Sequence, residues 1–219
     1  MNTECPFGLY LVTDRSLSLG RPLEEIVDAA VRGGVSAVQL REKTASTAEF
    51  ISLALRLHAG LKPKRIPLII NDRVDVALVA GADGVHLGQD DMPYGEARRL
   101  LGPRAIIGLS VETEDQALEA ERLDVDYLGV SPIFPTPTKT DTKTPWGLEG
   151  LRRLRERSRH SLIAIGGVNA TNARQVIEAG ADGLAVVSAI CSALDPERAA
   201  RSLRDIIDRH CKSGASLRR

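Results

Sequence analysis

The sequence is poor in aromatic residues and has no excess charge of either sign. It contains three Phe, three Tyr and one Trp in 219 residues, and its 29 Lys and Arg residues balance 29 Asp and Glu residues. A surface that binds nucleic acid needs clustered positive charge, and base stacking needs aromatic side chains. The composition therefore argues against a nucleic-acid partner, and any binding of anions must be local.

The chain also has few cysteines and lacks long apolar runs. Cys5, Cys191 and Cys211 are far apart in the sequence, so they indicate neither a disulfide framework nor a metal-ligand motif, and we interpret them as reduced thiols. The longest stretch without Asp, Glu, Lys or Arg covers 14 residues, 160–173, whereas a membrane-spanning helix needs about 18 or more. The amino terminus shows no secretory signal. We expect no membrane partner and a cytoplasmic location.

Short apolar, β-branched runs alternate with longer amphipathic runs along the whole chain. No shift in composition marks a linker, so the pattern predicts one α/β domain. The predicted strands are Leu9–Thr13, Ala37–Leu40, Pro67–Ile70, Gly84–Leu87, Ala105–Leu109, Tyr127–Val130, Leu162–Ile165 and Gly183–Val187. The predicted helices are Leu23–Arg32, Thr47–Ala59, Val74–Val79, Tyr94–Leu101, Thr113–Glu121, Leu148–Arg157, Ala170–Glu178 and Pro196–Arg209.

A weak internal repeat supports eight strand–helix units. Its copies begin 47, 43 and 56 residues apart, and each leads from a helix end into a strand, at Gly34–Val38, Gly81–Val85, Asp124–Leu128 and Gly180–Leu184. Each interval holds two units, as expected for a closed (β/α)8 TIM barrel. The alternative is a general helix stop in an open doubly wound sheet. We predict a single barrel domain over residues 1–211 and a disordered tail over residues 212–219.

In such a barrel the loops that follow the carboxyl ends of the strands form the active site. After the second predicted strand, Gln39, Arg41 and Lys43 alternate along the chain, so they share one face of the extended segment. Two cations side by side indicate an anionic ligand. The alternative is a solvated strand end in which Glu42 is a salt-bridge partner.

Carboxylates follow the third and fourth predicted strands. Asp72 follows the third strand, and Asp90 and Asp91 follow the fourth, so they lie close enough in a barrel to share one hard cation. Mg²⁺ fits, because it is usually held by one or two carboxylates with substrate phosphates and water. Asp72 and Asp91 are the metal candidates and Asp90 is the weaker carboxylate. The alternative makes Asp72 or Asp90 a helix N-cap. We interpret His86, inside a strand, as a packed barrel residue.

Residues 132–147, PIFPTPTKTDTKTPWG, form a long loop after the sixth predicted strand. Its four prolines and five threonines disfavour a helix, and it is too long for a simple connection. Its hydroxyl groups and two lysines supply hydrogen-bond donors. The segment therefore predicts a lid that closes over phosphates and excludes water. A flexible insertion without function is the alternative.

Two further segments follow the last two predicted strands. Gly166 and Gly167 follow the seventh strand and Ser188 follows the eighth, where barrels often bind phosphate through backbone N–H groups. Gly167 permits close approach of the backbone to an anion, although an ordinary turn glycine is the alternative. Together with Arg41 and Lys43, these segments predict two phosphorylated ligands and transfer of a group from a diphosphate.

The motifs in this chain together resemble those of the thiamine-phosphate synthase family. The resemblance extends from about Leu9 to Arg209. It rests on TD at Thr13, QLREK at Gln39, ND at Asn71, GVHLGQDD at Gly84, GLS at Gly108, PTPTKTDT at Pro135, GGV at Gly166 and VVSAI at Val186. Members of that family are single (β/α)8 barrels. They join 4-amino-2-methyl-5-(diphosphooxymethyl)pyrimidine to a thiazole phosphate, release pyrophosphate and form thiamine phosphate.

The resemblance implies a role for each matching residue. The implied metal is Mg²⁺, bound by Asp72 and Asp91. The implied pyrimidine-diphosphate set is Gln39, Leu40, Arg41, Glu42, Lys43, Asn71, Ser110 and Lys139, of which Arg41, Lys43, Ser110 and Lys139 act in catalysis. The implied thiazole-phosphate set is Thr136, Pro137, Thr138, Gly167, Val187 and Ser188. The resemblance also implies a dissociative step, in which pyrophosphate departs from a pyrimidinyl-methyl cation that the thiazole nitrogen captures.

Two other functions are compatible with the same barrel. A thiazole tautomerase would not need the diphosphate and metal apparatus, so the presence of Asp72, Asp91 and Lys139 argues against it. A sensor that binds thiazole phosphate would bind without turnover. The expected partners are small phosphorylated substrates, and the sequence leaves the oligomeric state open, a homo-oligomer included.

Overall fold

The computed structural model of the protein describes residues 7–136 and 144–215. In this part of the chain eight parallel strands close into a barrel in which each strand lies between its sequence neighbours. The last strand closes the ring by pairing with the first, with Leu184 beside Leu9. The predicted (β/α)8 barrel is therefore confirmed, and the open sheet is excluded. The strands are β1 Leu9–Val12, β2 Ala37–Leu40, β3 Leu68–Asn71, β4 Gly84–Leu87, β5 Ile106–Val111, β6 Tyr127–Val130, β7 Leu162–Ala164 and β8 Gly183–Val186.

A helix follows each strand, and the described residues contain one short α-helix more than predicted. This extra helix, α8, comes directly after β8 and precedes the long last helix. The α-helices are α1 Leu23–Arg32, α2 Thr47–Leu61, α3 Val74–Ala80, α4 Tyr94–Leu101, α5 Glu114–Ala120, α6 Gly147–Arg157, α7 Ala173–Glu178, α8 Ser188–Cys191 and α9 Pro196–Ala215.

Local sequence explains where the helices begin and which face they bury. Ser46 and Glu49 form a capping box at the start of α2, since each side chain accepts a hydrogen bond from the other residue's backbone N–H. In α1 the buried residues recur with the spacing of one helix face, at Leu23, Ile26, Val27 and Ala30. This face packs toward the barrel and α9.

Strand residues divide between two hydrophobic layers according to the side of the barrel wall that they face. On β1, Leu9 and Leu11 belong to the layer between strands and helices, whereas Tyr10 and Val12 belong to the layer inside the barrel. The division follows from the two-residue period of a strand. The inner layer consists of Phe7, Tyr10, Val12, Ala37, Ile69, Tyr127, Ile163 and Ala185.

The internal repeat has a structural cause at its third position. In each copy this side chain accepts a hydrogen bond of 2.8–3.1 Å from a backbone N–H at the start of the preceding odd-numbered strand. Each copy therefore joins an odd-numbered strand to the even-numbered strand that it enters. The four acceptors are Ser36, Asp83, Asp126 and Asp182.

Some elements end later than predicted. β5 extends to Val111, so Ser110 lies within the strand instead of after it. α9 continues to Ala215, so a helix covers the first four residues of the predicted tail, and residues 216–219 lie outside the described residues. Within residues 7–136 and 144–215, no helix combines the length and the apolar character needed to cross a membrane.

Candidate active site

A cavity of about 860 Å³ lies at the carboxyl ends of the strands. Its volume falls within the range of about 300–1,000 Å³ that is usual for small-molecule sites. Most of the site residues predicted from the sequence line this cavity. They are Gln39, Arg41, Lys43, Asn71, Asp72, Asp90, Asp91, Ser110, Thr136, Gly167, Val187 and Ser188.

Two predicted residues direct their side chains elsewhere. Leu40 is fully buried in the layer between strands and helices, and the Glu42 carboxylate forms an ion pair with Arg15. Both positions follow from strand alternation, because these residues lie between the ones that face the cavity. These two side chains do not line the cavity, and a role of the two residues in substrate binding stays a prediction. The predicted residues Pro137, Thr138 and Lys139 lie outside the described residues.

We expect Arg15→Met to destabilise the fold. The side chain of Glu42 is 1% exposed and accepts hydrogen bonds of 2.9–3.3 Å from Nε and Nη2 of Arg15. The substitution leaves a buried carboxylate without this partner, which costs about 1–3 kcal/mol. Urea unfolding measures the loss. Adding Glu42→Gln should recover part of it, because an amide carries no charge. A single variant as stable as the wild type would contradict this role of the pair.

Arg41 is held in place by residues that follow β1. Its Nη1 donates to Asp14 Oδ2 (2.8 Å), and its backbone N–H donates to Thr13 Oγ1 (3.1 Å). The other oxygen of Asp14 accepts hydrogen bonds from the backbone N–H and the hydroxyl of Ser16 (2.9 and 2.5 Å). The carboxylate therefore has a fixed orientation, and it fixes the guanidinium at the cavity wall.

Asp72 adopts a left-handed backbone conformation directly after β3. Its φ is +63°, and its N–H donates to the carbonyl oxygen of His86 on β4 (2.9 Å). Asp and Asn adopt this conformation more readily than other residues that carry a Cβ. Its carboxylate accepts a hydrogen bond from Lys43 Nζ (2.7 Å). The N-cap residue of α3 is Arg73, so Asp72 faces the cavity and does not cap the helix.

Asp91 approaches Asp72 from the loop after β4. The backbone N–H of Gly88 donates to Asp91 Oδ2 (2.6 Å) and fixes this carboxylate. Burial, and then the neighbouring carboxylate of Asp72, raise the pKa of Asp91. The two acidic groups are therefore close enough to repel each other. The N-cap residue of α4 is Pro93, so Asp90 does not cap that helix.

Asp72 and Asp91 together fit a divalent cation such as Mg²⁺. A cation between them would relieve the repulsion, and Mg²⁺ commonly takes one or two carboxylates and completes its octahedron with phosphate oxygens and water. The described residues contain no group of three or more His, Cys, Asp or Glu side chains able to hold a metal. A metal at this pair would therefore need further oxygen ligands, such as phosphate oxygens or water.

The turn after β7 forms a second, backbone-lined region of the cavity. Gly166 and Gly167 have φ values of +94° and +68°. The carbonyl oxygen of Gly167 accepts a hydrogen bond from Asn172 Nδ2 (2.9 Å), and that of Gly166 accepts one from the N–H of Phe134 (3.0 Å). These bonds fix the turn against the loop after β6. Ser188, at the start of α8, lines the same cavity.

The chain is similar to known proteins over most of its length. The family model for thiamine monophosphate synthase matches residues 9–190. The chain belongs to this family. A thiamine-phosphate synthase from Albidiferax ferrireducens is 60% identical over 200 residues, which cover 91% of each chain. One from Leptospira biflexa is 55% identical over 202 residues, which cover 90% of this chain and 96% of the relative.

A solved structure agrees with the family assignment. Thiamine phosphate pyrophosphorylase from Pyrococcus furiosus superposes with a TM-score of 0.86 at 41% identity, covering 95% of this chain and 98% of that one. The resemblance to the thiamine-phosphate synthase family is therefore confirmed. The chain is an enzyme, a transferase that forms thiamine phosphate, and these relatives do not favour the tautomerase or the sensor.

In this member of the thiamine monophosphate synthase family, His86, Tyr10 and Tyr127 are among the cavity-lining residues that were not predicted as site residues. His86 belongs to the barrel wall, as interpreted from the sequence, but it also lines the cavity, with Nε2 2.8 Å from Ser110 Oγ. Its ring stacks on Tyr127, and Tyr10 lies beside Tyr127. Strand alternation could have placed His86 inside the barrel, because its neighbours Val85 and Leu87 belong to the outer layer.

Proposed function

We propose that the cavity binds two phosphorylated substrates at once and joins them with release of pyrophosphate. The substrates are 4-amino-2-methyl-5-(diphosphooxymethyl)pyrimidine and a thiazole phosphate, either carboxythiazole phosphate or hydroxyethylthiazole phosphate. The observation that carries the proposal is the placement of Asp72, Asp91, Arg41 and Lys43 in the wall of the cavity that Gly167 also lines. The region of Asp72, Asp91, Arg41 and Lys43 suits a diphosphate with a cation, and the turn that contains Gly167 suits a single phosphate.

Asp72 and Asp91 hold Mg²⁺ in this proposal. When bound, the ion supplies positive charge opposite the charge that grows on the departing pyrophosphate. Arg41 and Lys43 stabilise the same charge, and Lys139 of the loop after β6 is a further donor. Because Asp14 fixes the Arg41 guanidinium, that group needs little reorganisation as the charge develops.

The remaining contacts divide between the two substrates. Gln39, Asn71 and Ser110 contact the pyrimidine substrate. Gln39 and Asn71 are buried polar residues of the cavity wall, which supports a role in orientation. Leu40 and Glu42 contribute only their backbone. The thiazole phosphate is bound by Thr136, Pro137, Thr138, Gly167, Val187 and Ser188.

The proposed reaction proceeds by dissociation followed by capture. The bond between the pyrimidine methylene carbon and the diphosphate oxygen breaks, and both electrons leave with pyrophosphate. The ring amino group stabilises the resulting cation by resonance, and the thiazole nitrogen then forms the new carbon–nitrogen bond with its lone pair. With carboxythiazole phosphate, the ring carboxylate must also leave as CO2, and the carbon that keeps the bonding electrons takes up a proton. The protein positions the substrates, stabilises the leaving group and excludes water.

Mixing the purified enzyme with each substrate alone and with both substrates, with and without Mg²⁺, tests the proposed function. We expect pyrophosphate release only when both substrates and Mg²⁺ are present, with one thiamine phosphate formed per pyrophosphate. Conversion of the thiazole phosphate alone would indicate a tautomerase. Binding of thiazole phosphate without turnover would indicate a sensor.

Two properties stay predictions from the sequence. We propose that the barrel acts as a single domain, because no change in composition marks a boundary along the chain. We also propose a cytoplasmic location, where both substrates and Mg²⁺ would be available to the enzyme.

A further inference from the structure

A chain of hydrogen bonds crosses the floor of the cavity between β2 and β5. Gln39 Nε2 donates to the Tyr10 hydroxyl (3.0 Å), which lies 2.9 Å from the Tyr127 hydroxyl. The Tyr127 hydroxyl lies 3.0 Å from His86 Nδ1, and His86 Nε2 lies 2.8 Å from Ser110 Oγ. The five side chains come from five strands, so the closed barrel is what brings them together.

We infer that the hydrogen bonds of this series all run in one donor-to-acceptor direction, from Gln39 to Ser110. We also infer that His86 is a positioning residue that makes Ser110 a hydrogen-bond donor toward the pyrimidine substrate. The amide nitrogen of Gln39 can only donate, so Tyr10 accepts at the first step. Each phenol has one proton to give. Because Tyr10 accepts from Gln39 and keeps its own proton for its other neighbour, we assign Tyr10 as the donor to Tyr127 and Tyr127 as the donor to Nδ1 of His86.

The direction of the chain determines the form of the imidazole. His86 accepts at Nδ1 in this arrangement, so the proton between His86 and Ser110 lies on Nε2. That N–H donates to Ser110 Oγ, which leaves the Ser110 proton for a ligand in the cavity. Both phenols keep their protons, since burial raises the pKa of Tyr10 and of Tyr127.

Two glycines allow the Tyr127 and His86 rings to pack closely against the strand backbones. A Cβ on Gly108 would lie 2.1 Å from Cζ of Tyr127, and a Cβ on Gly129 would lie 2.8 Å from Cε1 of His86. The His86 and Tyr127 rings are stacked, with centroids 5.5 Å apart and planes inclined by 15°. In this packed arrangement Nδ1 of His86 faces the Tyr127 hydroxyl and Nε2 faces Ser110 Oγ.

The direction of the chain is tested by NMR on the full-length ¹⁵N-labelled enzyme. Long-range ¹H–¹⁵N spectra report which imidazole nitrogen carries the proton, and loss of one set of signals in His86→Gln assigns them. His160→Gln is the matched control. His160 is also buried, but it lies just before β7 and its Nε2 contacts the carbonyl oxygen of Ala120 instead of the hydrogen-bond series. We expect His86 to carry its proton on Nε2. A proton on Nδ1, or on both nitrogens, would overturn the direction.

Kinetics test the effect on Ser110, and this part rests on the proposed contact between Ser110 and the pyrimidine substrate. Tyr127→Phe removes the donor to Nδ1, so we expect signals of both tautomers and a fall in kcat of roughly tenfold. His86→Leu should lower kcat as far as Ser110→Ala does. His86→Gln, whose amide can still donate to Ser110, should recover most of the loss, while His160→Gln keeps wild-type kinetics.

The outcomes separate this inference from the proposed function. Circular dichroism first confirms that each variant is folded. Wild-type kcat in folded His86→Leu would overturn the positioning role. Wild-type kcat in Ser110→Ala, together with a proton on Nε2 of His86, would overturn the contact of Ser110 with substrate and leave the direction of the chain standing.

Discussion

Asp91→Asn reduces the Mg²⁺-dependent kcat for thiamine phosphate formation by roughly 10²- to 10³-fold, the usual loss when one fixed group that stabilises developing charge is removed. Asparagine has nearly the shape of aspartate, and its amide oxygen still accepts from the Gly88 N–H that now bonds Oδ2. The fold is therefore preserved while one of the two proposed anionic ligands of the metal is lost. Pyrophosphate release at saturating substrates, measured over a series of Mg²⁺ concentrations, gives the effect.

Asp72→Asn should produce a loss of the same size. The choice of asparagine matters here, because the backbone of Asp72 has a φ of +63° and asparagine tolerates this conformation. Alanine would add backbone strain to the loss of the ligand and confuse the two effects. Lys43 also loses its ion-pair partner in this variant, so part of the fall reflects a less well positioned lysine.

Asp28→Asn is the matched control for both variants. Asp28 is an exposed residue of α1 that pairs with Lys64, so the same loss of charge occurs outside the cavity. It should keep the wild-type rate and the wild-type dependence on Mg²⁺. Titration calorimetry with Mg²⁺ and pyrophosphate should show weaker binding in the two cavity variants only. Wild-type Mg²⁺ dependence in either of them would contradict the metal assignment.

The elements of this fold could be predicted because their signals are local. The bounds of β2, β4, β6, α1 and α4 agree with the prediction, since each is a short apolar run or an amphipathic segment between clear turn residues. The repeat predicted pairs of strand–helix units, and its third residue proves to bond the preceding strand. The four-residue α8 was not predicted, because a single turn has no periodicity to detect.

Charged residues of the cavity wall could also be predicted from their position after strands. Arg41, Lys43, Asp72 and Asp91 each come at or just beyond a predicted strand end, and barrel geometry brings such ends together. Leu40 and Glu42 show that side-chain roles cannot be assigned to every residue of a continuous sequence motif. A five-residue motif assigned both to substrate binding, whereas strand alternation directs every second side chain away from the cavity.

The hydrogen bonds at the floor of the cavity could not be predicted, because no local sequence pattern indicates them. Tyr10 and Tyr127 are 117 residues apart, and in the sequence each is an ordinary aromatic residue of a buried strand. Their hydroxyls meet because both face the interior of a closed barrel, and His86 joins them through the same geometry. Asp14 is similar, because its contact with Arg41 depends on the pairing of β1 with β2.

Gly167→Ala should raise the KM for the thiazole phosphate by roughly 10- to 100-fold. At a φ of +68° a residue with a Cβ is strained by about 1–2 kcal/mol. The new Cβ would also lie 2.8 Å from Cβ of Phe134 and 3.0 Å from the carbonyl oxygen of Pro135. The turn after β7 and the loop after β6 must then move apart. We expect the backbone N–H groups proposed to bind the phosphate to move with them.

The pattern of the kinetic change identifies which substrate the turn binds. The KM for the pyrimidine diphosphate should stay near the wild-type value, because that substrate is assigned to the region of Arg41 and Asp91. Gly81→Ala is the control, since Gly81 has a φ of +61°, an added Cβ would meet no atom closer than 3.9 Å, and the residue lies between α3 and β4. It shares the backbone strain and should keep both KM values. A rise confined to the KM for the pyrimidine diphosphate in Gly167→Ala would indicate that the two substrate assignments must be exchanged. Unchanged KM values in a folded variant would indicate that this turn does not bind the phosphate.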